Sequence, residues 1–284
     1  MSWTRLGLIA GGGDLPVHVA EAAEGEGRLG CVIALDGFAD PDRYSNPQIC
    51  GIAQPGRALK LLKANDCDAV CFAGIVKRPD FSKLKPDLRG VAFLPKAVAA
   101  AAQGDDALLR ALVSLFEDEG YRVVGVDEIA AGLVASAGLI GSGALEDEAR
   151  NDALKALAIA DLIGSADIGQ GAVVARGLVL AVEAQEGTDA MLQRVSSLPI
   201  ELRGGGARRT GVLAKRPKPG QERRVDLPVI GVSTIQGAAD AGLAGIVAPA
   251  GGALILGREA VAQTADDLGV FLWIVPESEL SGDG

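Results

Sequence analysis

A short apolar run, RLGLIA (Arg5 to Ala10), stops at three glycines, Gly11 to Gly13, and gives way to LPVHVAEAAE, whose apolar residues recur at helical spacing. Strand, tight glycine turn and helix in that order favour parallel pairing, because a parallel neighbour is reached only through a long crossover. The pattern recurs. CVIALDG supplies a second strand (Cys31 to Leu35), GRALKLLKAND a second helix from Gly56, and DAVCFAG a third strand ending at Gly74. IVKRPDFSKLKPDLRG (Ile75 to Gly90) breaks the rhythm with Pro79, Pro86 and mixed charge, and reads as a long functional or covering loop. Helices over Pro95 to Ala102 and Asp105 to Glu119 and the strand YRVVGV (Tyr121 to Val126) complete an α/β unit with a Rossmann-like parallel sheet.

Near Val134 the texture becomes glycine-rich and then acidic, AGLIGSGALEDEARND, as where a linker enters a helix. The boundary is placed there, giving an N-terminal domain over 1–133 and a second α/β domain over 134–284, with a ligand cleft expected between them. In the second domain the pattern predicts a helix from Glu146 to Ile163 and a hairpin of GAVVA and LVLAVEA turning at Arg176-Gly177. A helix N-capped by Thr188 follows, and GGG at 204–206 reads as a flexible lead-in to the strand GVLAK. A helix over STIQGAADAGL, short strands GIVAP and GALILG, the amphipathic helix REAVAQTADDLG and the buried strand VFLWIV close the chain.

Composition narrows the function classes. A net charge of −10 with no dominant basic stripe argues against nucleic-acid binding, which depends on cations neutralising phosphates. An anionic ligand must then meet local cations. The four cysteines (Cys31, Cys50, Cys67, Cys71) include no CxxC pair, and no signal-peptide pattern or long uninterrupted apolar run is visible, so a reduced, cytoplasmic setting is expected. His18 is the single histidine and falls inside a helix, which leaves little for a zinc site or a Ser-His-Asp triad.

The densest concentration of chemistry is KRPKPGQERRVDLPVIG, residues 215–231. Lys215, Arg216, Lys218, Arg223 and Arg224 lead to one carboxylate, Asp226, along a path stiffened by Pro217, Pro219 and Pro228. Such a loop can aim cations at phosphate and keep an ionised carboxylate for a metal or a water, and it can equally be a solvated charged loop. AVEAQEGTDAMLQR (181–194) brings Glu183, Glu186, Thr188 and Asp189 to a helix start, where they suit a hard cation or a simple cap. AGGGDLP is an anion-binding turn in outline, but Pro16 stands where the dinucleotide fingerprint needs its third glycine. Lys77 and Arg78 lie just past the end of a parallel strand, the edge at which open α/β sheets bind ligands. Cations, carboxylates and backbone amides together suit a nucleotide diphosphate and metal-assisted hydrolysis that needs no histidine.

The blocks LIAGGGDLP, FAGIVKRP, DIGQG, AVEAQEGTDAMLQR and K-x-x-K-P-G-Q followed by DLPVIG occur in one order across nearly the whole chain. In that set the sequence resembles the LpxI-type UDP-2,3-diacylglucosamine pyrophosphatases of lipid A biosynthesis. The resemblance implies magnesium-dependent hydrolysis of UDP-2,3-diacylglucosamine to UMP and 2,3-diacylglucosamine 1-phosphate, by a two-domain cytoplasmic protein touching the inner membrane peripherally. The family's essential aspartate falls on Asp226. The residues add further roles: Lys215 with Gln221 for pyrophosphate charge, and Thr188 and Asp189 for phosphate or metal, with Asp226 and Asp189 as the magnesium ligands. Gly11, Gly12, Gly74, Lys77, Arg78, Gln103 and Gln170 are candidates for the rest of the substrate, and a homodimer is the default assembly. An NAD- or FAD-binding oxidoreductase and a non-catalytic sugar-nucleotide sensor are the alternatives.

Overall fold

The computed structural model describes residues 3–77, 80–205 and 208–280. Contacts divide the chain into two compact units, one of residues 1–132 with 222–225, the other of residues 133–221 with 226–284.

The first unit holds β1 (Leu6–Ala10), α1 (Leu15–Gly25), β2 (Leu29–Leu35), β3 (Pro47–Cys50), α2 (Pro55–Ala64), β4 (Ala69–Ala73), α3 (Leu88–Ala101), α4 (Asp105–Asp118), β5 (Arg122–Val123) and α5 (Val126–Ile129). Its five strands pair in parallel in the order β3-β2-β1-β4-β5. Strand order reverses between β1 and β4, the place where such sheets leave a crevice at the carboxyl ends of their strands. Ile9, Ile33 and Val70 pack with Leu59, Leu62 and Phe116 from the covering helices.

Two expectations need correction here, and PQIC adds β3, a strand that the sequence pattern did not supply, at the edge beside β2. The strand expected over 121–126 shrinks to two residues, since α5 begins at Val126. The long loop ends at Asp87, where α3 starts a full two turns ahead of Pro95. Asp87 accepts the Gly90 N–H at 2.7 Å and so caps the helix. Pro95 lies inside α3, where its missing N–H forfeits one backbone bond without ending the helix.

The second unit contains β6 (Gly138–Ile140), α6 (Asp147–Ser165), β7 (Gly171–Ala175), β8 (Leu178–Val182), α7 (Gly187–Ser196), α8 (Ile200–Arg203), β9 (Gly204–Gly205), β10 (Arg208–Arg209), β11 (Val212–Lys215), β12 (Val229–Ile230), α9 (Val232–Asp240), β13 (Gly245–Pro249), β14 (Leu254–Ile255), α10 (Arg258–Leu268), β15 (Phe271–Val275) and α11 (Glu277–Leu280). Six strands form a mixed sheet ordered β6-β15-β13-β11-β7-β8, parallel from β11 to β15 and antiparallel outside that core. On one face Ala156 and Leu157 of α6 pack against Ala214, Val247 and Trp273. On the other, Val173, Leu213 and Ile246 meet Met191 of α7, Ile235 of α9 and Val261 of α10. Gly204 and Gly205, expected to be flexible, instead pair with Arg208 and Arg209 as β9 and β10.

The β7–β8 hairpin turns at Arg176 and Gly177, both at positive φ (49° and 73°), the requirement of a two-residue type I′ turn. Buried Asp152 of α6 holds it, accepting the Arg176 N–H at 2.8 Å and the Gly177 N–H at 2.7 Å. Asp152→Ala is therefore expected to lower unfolding free energy by about 2–4 kcal/mol in urea titrations, because two turn amides lose a charged acceptor. Asp152→Asn, with a single acceptor oxygen, should fall between.

Candidate active site

The second unit builds its polar cluster from three adjacent strand ends. Lys215, last residue of β11, pairs with Gly171, first residue of β7, and the Gly171 carbonyl accepts the Glu183 N–H at 2.8 Å just beyond β8. Side chains alternate along strands, so Lys215 and Glu183 share the face that carries Leu213, Val173 and Ala181 beneath α7 and α9. Both are buried. Gly171, between them, has no side chain, and a Cβ there would stand 2.4 Å from Glu183 Oε2. The glycine is what lets the carboxylate lie across β7.

Lys215 donates from Nζ to the Val229 carbonyl at 2.7 Å. Burial pushes its pKa down, while the negative charges of Glu183, Asp189 and Asp226 pull it back up. Burial conversely raises the pKa of Glu183, opposed by Lys215 and by the Thr188 hydroxyl, which donates to Glu183 Oε1 at 3.0 Å. Glu183 Oε2 and Gln170 Oε1 are buried acceptors with no hydrogen-bond partner. Oxygens of this kind await a donor or a cation.

Past Lys215 the proline-braced loop is pinned at each step. Arg216 donates its N–H to the Gln170 carbonyl at 2.9 Å and pairs with Asp161 at 2.9 Å, and Lys218 pairs with Asp167 at 2.6 Å. Buried Gln221 accepts the Lys218 N–H at 2.8 Å with Oε1 and donates from Nε2 to Asp226 Oδ2. Gln221 thus aims Asp226. Residues 222–225 belong to the first unit, where Arg224 is clamped by Glu222 at 2.8 Å and Glu117 at 2.7 Å. Arg216, Lys218 and Arg224 therefore serve to fix the loop's path, whereas Lys215 is buried beside carboxylates.

In the first unit, Gly11 donates its N–H to Ala73 O at 2.8 Å and Gly12 to Ile75 O at 2.9 Å, so these two amides are taken up in joining the ends of β1 and β4. Gly74 sits at φ 97°, and a Cβ there would meet Gly12 O and Pro16 Cγ at 2.6 Å. The glycines expected to cradle a ligand through their amides are required first by this close crossing. Lys77 is exposed just beyond β4, and Gln103 is exposed after α3, donating to Ala99 O at 3.4 Å. Arg78 lies outside the described residues. His18 faces Glu21 on α1 at 3.6 Å, as a helix-surface pair.

Lys215, Thr188, Asp189, Gln221 and Asp226 thus belong to one neighbourhood of the second unit, and Gln170 borders it. Thr188 is not the N-cap, since α7 begins at Gly187; its hydroxyl turns to Glu183 instead. Glu183 was visible in sequence only as one acid of a cluster. Its partnership with Gly171 and Lys215 depends on strand register, and the one available sign was that all three stand at predicted strand ends. Glu186, the other acid of that cluster, pairs with Arg194 at 2.7 Å. Among the described residues no three His, Cys, Asp or Glu side chains form a ready metal cage. Magnesium needs only one or two carboxylates beside water and phosphate oxygens, and the unpartnered oxygens of Glu183 and Gln170 are of the hard type it takes.

Residues 5–133 match the family described as the LpxI N-terminal domain, and residues 136–273 the LpxI C-terminal domain. The chain is 54% identical over 277 residues to the UDP-2,3-diacylglucosamine pyrophosphatase LpxI of Caulobacter vibrioides, covering 97% of this chain and 99% of that protein.

The raised pKa of Glu183 sets a sign for stability. Its folded form holds a proton at pH values where the unfolded chain has released it, so its contribution is full below the ordinary glutamate range and is lost as pH rises through the raised folded value. Denaturant titrations from mildly acidic to neutral pH should show Glu183→Gln with a flatter profile than wild type, the difference not exceeding about 1.4 kcal/mol per pH unit. Parallel profiles would refute the burial of this carboxylate.

Proposed function

The chain belongs to the LpxI family, and from that premise we propose that it hydrolyses the pyrophosphate of UDP-2,3-diacylglucosamine to UMP and 2,3-diacylglucosamine 1-phosphate. Water supplies oxygen to one phosphorus, the bridging P–O bond breaks, and a proton must be taken up by a nearby group. The observation that carries this reading is the enclosure of Lys215 among Glu183, Asp189 and Asp226, with Asp226 held by Gln221. Asp226 is the residue to orient the water and accept its proton. Lys215, fixed by Val229 O, is the charge to meet phosphoryl oxygens as they become more negative. Preorganisation matters because a buried ammonium needs no solvent rearrangement at the moment of reaction.

Asp226 and Asp189 would hold the magnesium ion, whose contribution when bound is to neutralise phosphoryl charge and acidify water. Gln221 and Thr188 act through their neighbours, as positioning residues for Asp226 and Glu183. A two-chain lipid substrate places the protein at the cytoplasmic face of the inner membrane as a peripheral visitor, and no helix among the described residues is long and apolar enough to cross a membrane.

The test is release of UMP from UDP-2,3-diacylglucosamine by purified protein, with and without magnesium. Asp226→Asn should lower kcat by about 10²–10³ or more while circular dichroism stays unchanged. Turnover close to wild type would remove Asp226 from the chemistry. Lys215→Met should lose activity on the same scale of about 10²-fold while circular dichroism shows the fold retained, with some loss of melting temperature because Glu183, Asp189 and Asp226 lose their counter-charge. Turnover close to wild type would make Lys215 a structural residue.

A further inference from the structure

Helix α3 carries apolar side chains on both of its sides. Its inward side buries Gly90, Ala97 and Ala101, with Phe93 and Leu94 half-buried beside them. Three further aliphatic side chains point to solvent: Leu88 is 92% exposed, Val91 56% and Val98 47%. With exposed Ala92, Pro95 and Ala99 they follow 3–4-residue spacing, so the outward stripe is apolar along the whole helix. A stable helix ordinarily buries such a stripe, and an exposed one of this extent marks an interaction surface.

Charge indicates what covers it. The chain carries a net −10, yet from Ile75 to Gly104 the described residues include Lys77, Lys83, Lys85, Arg89 and Lys96 against only Asp80 and Asp87. Asp87 is spent on the α3 cap and on the Arg57 N–H. Lys83 pairs with Asp80 and Arg89 with Glu119, whereas Lys77, Lys85 and Lys96 are exposed with no acidic partner among the described residues. Lys96 and Arg89 stand at one border of the stripe by helical angle. An apolar helical face with Lys96 at its border, on a segment whose described residues carry a net positive charge in a protein otherwise acidic, matches an anionic lipid surface.

We infer that the outward face of α3 is a membrane-docking surface, lying in the headgroup region of an anionic bilayer with Leu88, Val91 and Val98 among the acyl chains. The inference deepens the function proposed above, since a diacylated substrate resides in such a bilayer. It adds the surface by which the protein reaches it.

The experiment compares sedimentation of the full chain with vesicles of phosphatidylglycerol and phosphatidylcholine against vesicles of phosphatidylcholine alone. Wild type is expected on the anionic vesicles, weakening as salt rises. The double variant Leu88→Glu, Val91→Glu should lose about tenfold or more of that binding. Both sites are solvent-facing in the first helical turns, where acids favour the helix, so its melting curve should match wild type. Its UMP release from detergent-dispersed substrate should also be unchanged. Failure of wild type to prefer anionic vesicles, or wild-type binding by the variant, overturns the inference. So does a parallel fall of detergent-phase turnover, which would give the stripe to the substrate's own acyl chains. Absence of UMP release by wild type would instead defeat the proposed reaction, while the vesicle comparison would still be decisive for this surface.

Discussion

An ammonium buried at the end of an interior strand is the constraint around which the second unit is arranged. Taking Lys215 out of water opposes folding by several kcal/mol unless its charge is met, and an apolar residue at the same place would incur no such penalty. The compensation comes from the Val229 carbonyl and from the fields of Glu183, Asp189 and Asp226. These groups arrive from three separate parts of the chain. Retaining a charge where Val212, Leu213 and Ala214 precede it in full burial is difficult to explain by stability, and it is the kind of arrangement that reactive sites show.

The arrangement depends on absent side chains as much as on present ones. Gly171 leaves open the strip of sheet over which Glu183 reaches toward Lys215. In the first unit, Gly11 and Gly74 allow the segments after β1 and β4 to touch, joined by the paired Gly12 and Ile75 backbones. A glycine in each place serves close approach, but to different ends: in one it admits a carboxylate, in the other a neighbouring backbone. That second use explains why an AGGGDLP turn can look like a nucleotide cradle and yet have two of its amides already committed.

Glutamine and proline set the remaining geometry. Pro217 and Pro219 limit the paths open to the chain after β11, and Gln221 turns that limited path into an aimed one by spanning from the Lys218 amide to the Asp226 carboxylate. Arg216, Lys218 and Arg224 are held by Asp161, Asp167, Glu117 and Glu222, so a stretch that looks like a phosphate-binding patch is largely a strap tied down by carboxylates. Charge density in sequence measured how tightly this loop is fastened as much as what it could bind.

Local pattern alone determined the parallel first sheet, the β7–β8 hairpin, most helices and the block order that places the chain in its family. Each of these is encoded within a few neighbouring residues: a glycine after an apolar run, a turn pair between two strands, a 3.6-residue apolar repeat. Helix α3 was only half legible because Pro95 looks like a start and Asp87, the actual cap, sits in a stretch that otherwise reads as loop. Which side of α3 faces outward could not be read at all, since both its sides are apolar and only packing of the small residues distinguishes them. The alignment of Gly171, Glu183 and Lys215 was likewise decided by tertiary structure: strand register joins residues far apart in sequence, and a shift of one position would send each side chain to the opposite face.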